Sequence, residues 1–281
     1  IDPVYFYPSV TAGVIFSELF NLRNEWFSYG KLRGNWAKVG KDAFAGIILD
    51  TMKNLNMPTD YIIQTDASST GCALIMVHEE SGQNEIVIVP GTCNLLNEDD
   101  TNKVEEVLKD CEYVLLQLEV NQDANERIVE LARKHNVKVI VNTAPYAPMS
   151  DDFLSKVYMV TPNEVEAEEM TGIEIDGLEA AKEVARIIKS KGVEVVVITL
   201  GGRGVFISTN DKEDIVEAFK VHAIDTTGAG DVFCAAISSK ILDNEIDEVI
   251  NFATIVSSIH IQRKYVMEAI PKLCEIEKEC Q

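Results

Sequence analysis

Positive charge is scarce in this chain of 281 residues. Against 46 aspartates and glutamates stand only 25 lysines and arginines, for a formal net charge of -21. A surface so acidic offers no basic face for nucleic acid or an anionic membrane, which excludes both as partners. A phosphate bound here has to be neutralised locally, by metal and backbone dipoles. Long apolar runs are also missing, and none approaches the length of a transmembrane helix. The first residues, IDPVYFYPSVTAGVIFSELF, lack the basic start of a signal peptide. The six cysteines, Cys72, Cys93, Cys111, Cys234, Cys274 and Cys280, form no CxxC pair and show no metal-ligand spacing with the four histidines. They read as reduced thiols of a cytosolic protein, with the nucleus as the other compartment open to it. No Asn-x-Ser/Thr sequon, internal repeat or low-complexity linker occurs. No strand runs into GxGxxG and no GxxxxGK[ST] string exists, which disfavours a dinucleotide-binding Rossmann enzyme and a P-loop enzyme. What remains is a globular composition, 46% hydrophobic and 25% charged, long enough for one or two domains with a buried core.

Periodicity places the elements. Lys41 to Met57 repeats apolar residues at helical spacing and is stopped by Pro58. Thr70 to His78 and Glu85 to Pro90 are strand-like and flank the turn-rich EESGQN, predicting a hairpin. From Asn102 onward the patterns alternate: helix near 102–110, strand 112–118, helix 124–135, strand 137–142, strand 157–161, helix 163–171, helix 178–190 and strand 194–200. Continuous apolar strands between amphipathic helices predict an α/β protein with a mainly parallel sheet covered on both faces. Ligands then collect at the carboxyl ends of the strands.

The stretch Ala223 to Ala236, AIDTTGAGDVFCAA, carries the strongest chemistry. Gly228 and Gly230 stand beside Asp231, which opens an apolar helical run from Val232 to Leu242. Glycines there let successive N–H groups turn toward one spot, and the positive end of the helix dipole points the same way, which makes a place for an anion. A carboxylate at its mouth can accept a proton from a hydroxyl about to attack phosphorus. The bland alternative is Asp231 as an ordinary N-cap.

Other strand ends add to this. Strand 112–118 leaves Glu119 at the ligand edge, and strand 137–142 ends in Asn142-Thr143-Ala144-Pro145. Strand 157–161 runs into Thr161-Pro162-Asn163-Glu164-Val165-Glu166. With proline in the first helical turn, Asn163 and Glu166 share a helix face. Strand 194–200 ends in Thr199-Leu200-Gly201-Gly202-Arg203-Gly204, where glycines allow close approach of a ligand. Each has a structural alternative: Glu119 as a solvated loop residue, Thr161 with Glu164 as a capping box, and Gly201 to Gly204 as a plain β-turn.

From about Asn35 to Pro271 the sequence resembles the ribokinase family of carbohydrate kinases, the phosphofructokinase-B type. VGKDAFAG, STGCALI, GQNEIVIVPG, LLQLE, TPNEVEAEEMTG, ITLGGRGV and AIDTTGAGD occur in the family's order. The resemblance implies a mainly parallel central sheet with a small β-sheet lid, the lid at 61–94 and the α/β core at 1–60 and 95–281, with 1–34 atypical. It implies Asp231 as catalytic base and Gly228, Ala229 and Gly230 as the anion hole for the γ-phosphoryl group of ATP. Asn163 and Glu166 resemble the pair that organises Mg2+ through water. Thr199, Leu200, Gly201, Gly202, Arg203 and Gly204 resemble the nucleotide turn, with Thr254 as a further ATP contact and Asp231 beside both ligands. Glu119 is similar to the carboxylate that holds the sugar. Asp225 and Thr227, with His260, Arg263 and Tyr265 on a second loop, resemble a site for K+ built mostly of backbone oxygens.

The spellings GlnLeuGlu and DTTGAGD resemble the ribose-phosphorylating branch more than the adenosine-phosphorylating one. The implied reaction is ATP-dependent phosphorylation of D-ribose at O5, in a cytoplasmic homodimer joined through the lid. The alternatives are a related sugar or nucleoside kinase, and a non-catalytic nucleotide-binding or dimerising protein of the same fold. Family members begin with a strand bearing a sugar-binding aspartate and then a Gly-Gly-Lys-Gly-Ala-Asn segment, where residues 1–34 here carry unrelated sequence. Cys93, Thr143, Tyr265 and Ala269 also depart from the family spelling. The phosphate half of the site is therefore expected to be complete, with sugar contacts fewer.

Overall fold

Unbroken apolar stretches become the buried strands of this protein, and the amphipathic stretches between them become its helices. The structure is a computed structural model that describes residues 4–7, 13–15, 34–77, 84–242, 244–264 and 266–279. It divides into two units, Ile1–Val139 and Ile140–Gln281.

In the first unit the chain runs through β1 (Val4–Tyr7), β2 (Gly13–Ile15), β3 (Gly34–Gly40), α1 (Ala43–Asn54), β4 (Tyr61–Thr65), β5 (Cys72–Val77), β6 (Asn84–Val89), α2 (Glu98–Leu108), β7 (Tyr113–Gln117) and α3 (Gln122–Lys134). β3 and β4 pair in parallel, while β2 lies antiparallel to β3 and to β7. β1, β5 and β6 form a separate antiparallel sheet. The hairpin read from the sequence is thus present as β5 and β6, with its EESGQN turn mostly outside the described residues. The small sheet differs from the 61–94 expectation at both ends, because β4 pairs with β3 and β1 joins from the atypical N-terminal segment. Asp42 caps α1 by accepting from the Ala45 amide at 2.9 Å and also takes both the amide and the hydroxyl of Thr70, at 2.7 and 2.8 Å. Those donors, the Ala45 amide first, hold its carboxyl below the ordinary value.

β8 (Lys138–Asn142) carries the chain into the second unit. There follow α4 (Asp151–Leu154), β9 (Met159–Val160), α5 (Glu164–Thr171), α6 (Leu178–Ser190), β10 (Val195–Thr199), β11 (Val205–Ser208), β12 (Glu213–Val216), α7 (Ala229–Lys240), α8 (Ile246–His260) and α9 (Leu273–Glu279). β8, β9 and β10 are parallel, in the register Ile140, Met159, Val195, and the antiparallel pair β11 and β12 continues from β10. Ile140, Met159, Val196, Ile198, Phe206 and Ile207 are fully buried, with Val184 and Ile188 of α6 and Ile237 of α7. Each such side chain contributes roughly 1.5–3 kcal/mol by leaving water. The parallel register brings the carboxyl ends of β8, β9 and β10 to one edge.

Three expectations need correction. α2 begins at Glu98, ahead of the predicted 102, because Asn97 and Asp100 form a reciprocal capping box that starts a helix in an acidic stretch without apolar residues. α7 begins at Ala229, ahead of Val232. Pro162 precedes the N-cap of α5 and lies outside its first turn. No helix among the described residues is long and apolar enough to cross a membrane.

Candidate active site

The second unit brings most of the sequence-singled residues to the strand edge. An isolated parallel bridge joins Asn163 to Thr199, and the Thr199 amide donates to the Pro162 carbonyl at 2.9 Å. The start of α5 and the turn after β10 are thereby one piece. The turn itself is a 3-10 turn over Gly201–Arg203, closed by Leu200 N–H to the Gly204 carbonyl at 2.8 Å and Arg203 N–H to the Leu200 carbonyl at 3.0 Å. It replaces the β-turn of the bland reading. Gly204 is required there: at φ 104° a Cβ would lie 2.1 Å from the Val216 carbonyl oxygen. Gly201, Gly202 and Arg203 are exposed. Arg203 does not project freely, because its guanidinium bonds the Glu164 carboxylate and the Ile175 carbonyl, tying the turn to α5 and the loop after it.

Asn163 is the N-cap of α5 and Glu166 its third residue. The Glu166 amide donates to Asn163 Oδ1 at 2.9 Å, and the Asn163 amide donates to Glu166 Oε2 at 3.0 Å. The capping box is thus Asn163 with Glu166, where the sequence offered Thr161 with Glu164; the Thr161 hydroxyl instead meets the Val141 carbonyl and Cys234 Sγ. Glu166 is 7% exposed. Its Oε1 accepts from Asn163 Nδ2 at 2.8 Å, and Oε2 also takes the Thr143 hydroxyl at 2.9 Å. Burial is the largest influence on this carboxyl and raises it above 4.5, against the opposing hydrogen bonds from the Asn163 backbone and Thr143. No ion pair among the described residues reaches it. A buried carboxylate without a cationic partner fits a divalent cation, and Mg2+ suits it through water, since no three-carboxylate or histidine cage exists among the described residues.

Gly228 caps α7 at φ 75°, and no side chain completes that cap. A Cβ on Gly228 would stand 2.7 Å from Val266 Cγ1, so glycine is needed for space as well as angle. Asp231 is the third residue of the helix, exposed, and not its N-cap as the bland reading had it. Its Oδ1 receives Asn142 Nδ2 at 3.2 Å. The Ala229 amide points back to the Thr226 carbonyl at 3.2 Å. Among the residues read as an anion hole, Gly228 and Gly230 flank that turned-back amide. Thr254 lies on α8, 7% exposed, with its hydroxyl donating to the Ile250 carbonyl at 2.8 Å, so the structure places it within the helix packing.

The monovalent-cation set is only partly an oxygen cage. Asp225 Oδ1 accepts the Thr227 amide at 2.9 Å, and the His260 carbonyl accepts the Arg263 amide at 3.1 Å. The imidazole of His260, 1% exposed, places Nε2 at 2.9 Å from the Thr227 carbonyl. A carbonyl only accepts, so Nε2 carries the proton. Nδ1 then remains a buried acceptor with no partner among the described residues. Ala269, fully buried, contributes no side-chain oxygen, and Tyr265 lies outside the described residues. The His260 bond occupies one of the two lone pairs of the Thr227 oxygen and fixes the direction of that carbonyl.

Glu119 belongs to the first unit. It lies half-buried just past β7, where Asn125 Nδ2 donates to the Gln117 carbonyl at 2.7 Å. Sequence reading gave no role to the side chains of Asn142, Thr143 or His260 themselves. The first two were visible only as a strand ending in polar residues, and nothing local marked the third.

The arrangement suits transfer of a phosphoryl group: a glycine-lined helix start, an exposed carboxylate in its first turn, a buried carboxylate for a metal's waters and a glycine turn for a nucleotide. The family model described as pfkB family carbohydrate kinase matches residues 34–273. The ribokinase of Staphylococcus aureus (strain COL) is 34% identical over 243 residues, covering 86% of this chain and 80% of that one. The deoxyribokinase of Salmonella typhi is 30% identical over 238 residues, covering 84% and 78%. The structure of Arabidopsis thaliana ribokinase complexed with ribose and ATP is similar with a TM-score of 0.79 at 25% identity, over 86% of this chain and 80% of that one. The ribokinase-like α/β fold implied by the sequence resemblance is therefore the observed one, and the chain belongs to the pfkB family of carbohydrate kinases.

Proposed function

We propose that this carbohydrate kinase transfers the γ-phosphoryl group of ATP to O5 of D-ribose. The observation that carries the reading is Asp231, exposed in the first turn of α7 directly after Gly228 and Gly230. Asp231 takes the O5 proton as the oxygen's lone pair forms the bond to the γ-phosphorus. The bridging bond to the β-phosphate oxygen breaks, and ADP leaves with that electron pair. The amides of Gly228 and Gly230, flanking the Ala229 amide that bonds the Thr226 carbonyl, stabilise the charge that develops on the phosphoryl oxygens. Thr199 to Gly204 hold the nucleotide and Thr254 borders it. Asn163 and Glu166 hold the water shell of Mg2+, which when bound neutralises phosphate charge. Asp225, Thr227, His260, Arg263 and Tyr265 would hold K+ mostly through backbone oxygens, and Ala269 would add no side-chain oxygen to its shell. The exposed Val87, Ile88 and Val89 on β6 support a homodimer through the small sheet, and the acidic, thiol-bearing composition supports a cytoplasmic location.

The 30% identity to a deoxyribokinase favours a second reading, a kinase for a related sugar. Phosphorylation assays over ribose, deoxyribose and a nucleoside separate the two. Nucleotide binding with no turnover on any of them would reject both and leave a non-catalytic nucleotide-binding protein.

A further inference from the structure

A buried amide stands behind the exposed carboxylate. Asn142 ends β8, is 2% exposed, and reaches Asp231 Oδ1 with its Nδ2 at 3.2 Å. Its orientation is fixed independently, because its own Oδ1 accepts the Ala144 amide at 3.3 Å. A flipped amide would set oxygen against the Asp231 carboxylate and nitrogen against the Ala144 N–H, so only one orientation satisfies both neighbours. The strand is rigid here: Ile140 and Val141 are fully buried and registered with Met159 and Val160 of β9. Asp231 itself sits in the first turn of α7, so this bond joins that turn to the strand.

We propose that Asn142 is a positioning residue for Asp231. Its amide N–H fixes the rotation of the carboxylate, commits one oxygen to β8 and sets the direction in which the other meets the sugar hydroxyl. A base held on a packed strand keeps its geometry better than one held by a helix start alone, and small displacements of a reacting group are costly in rate. The proposal rests on the reading of Asp231 as the base. Asn142 is buried and its side chain bonds Asp231 and the Ala144 amide, so its effect is assigned to Asp231.

The test is a double-variant cycle on the whole chain with N142A, D231N and the combination, reading kcat, KM for the sugar and the affinity for MgATP by calorimetry. N142A is expected to lower kcat at least about tenfold while leaving MgATP affinity within about twofold, and to cost less than about twofold more when D231N is already present. Equal losses in both backgrounds, or a fall in MgATP affinity matching that in kcat, would overturn the proposal. D231N with near-parental turnover would overturn the base assignment instead, which keeps the two failures distinct. If N142A does not fold, N142D serves, since it keeps the size and the acceptor for the Ala144 amide. It faces Asp231 with a second carboxylate, and unchanged kcat in N142D would sink the proposal equally.

Discussion

His260 Nε2 lies 2.9 Å from the carbonyl oxygen of Thr227, so a side chain from the end of α8 ties down the loop that precedes α7. That bond takes one of the two lone pairs of an oxygen read as a ligand of a monovalent cation and fixes where the carbonyl points. Activity titrated with K+ against Na+ is therefore expected to rise less than about threefold in the parent, and more steeply in H260A, where the carbonyl is released. Y265G, at a position where the chain departs from the family spelling, is expected to restore part of the response. Strong potassium activation of the parent would contradict this account of the His260 bond.

D231N should lower kcat by at least about a hundredfold with the affinity for ATP nearly unchanged. Asparagine keeps the shape and cannot take the proton. Retention of most of the turnover would remove Asp231 from the role of base.

Glu166 makes stability depend on pH in a defined direction. Its carboxyl in the folded protein titrates above 4.5, so folding favours the protonated form. The stability gained from that proton is full below about 4.5 and is lost as pH rises through the higher folded-state value. The difference in thermal midpoint between the parent and E166Q should therefore shift in the parent's favour as pH falls from 7 toward 5, in metal-free buffer. Subtracting E166Q cancels the general effect of the -21 net charge. A flat difference would mean that Glu166 is not held above its ordinary value.

Gly204 and Gly202 are two residues apart and should behave oppositely. A methyl on Gly204 meets backbone at 2.1 Å under a positive φ, whereas a Cβ on Gly202 has no neighbour within 4 Å. G204A is expected to cost more than about 2 kcal/mol of stability and to weaken nucleotide binding, and G202A to cost less than about 0.5 kcal/mol. Thermal melts with and without ATP check both, and a tolerated G204A would mean that the turn is free to open.

Much of the proposed phosphate site could be read as a candidate because its signals are local. TTGAGD contains its own glycines and its own carboxylate, and Asn163 to Glu166 spans one helical turn. What stayed hidden depends on pairs distant in sequence. Asn142 and Asp231 are 89 positions apart, and Thr143 and Glu166 are 23 apart, so no period or motif window could join them. The start of α2 was missed for another reason: its signal is the Asn97 capping box, and a search for apolar spacing overlooks it. The N-terminal strands β1 and β2 were not expected either, being too short for any alternation to register.

The side chains of Asp42, Asn97, Ser150 and Asn163 finish the helices they begin, but α7 starts on Gly228 with no such group. On the proposed reading a phosphate would supply the partner that no side chain gives this first turn. The Ala229 and Val232 amides already bond the Thr226 and Gly228 carbonyls, so a γ-phosphate bound there would act on the turn between them, and the Gly230 amide is expected to exchange with solvent deuterium more slowly with the phosphate than without it. Deuterium uptake at the start of α7 would then separate the protein bound to ATP from the protein bound to ADP.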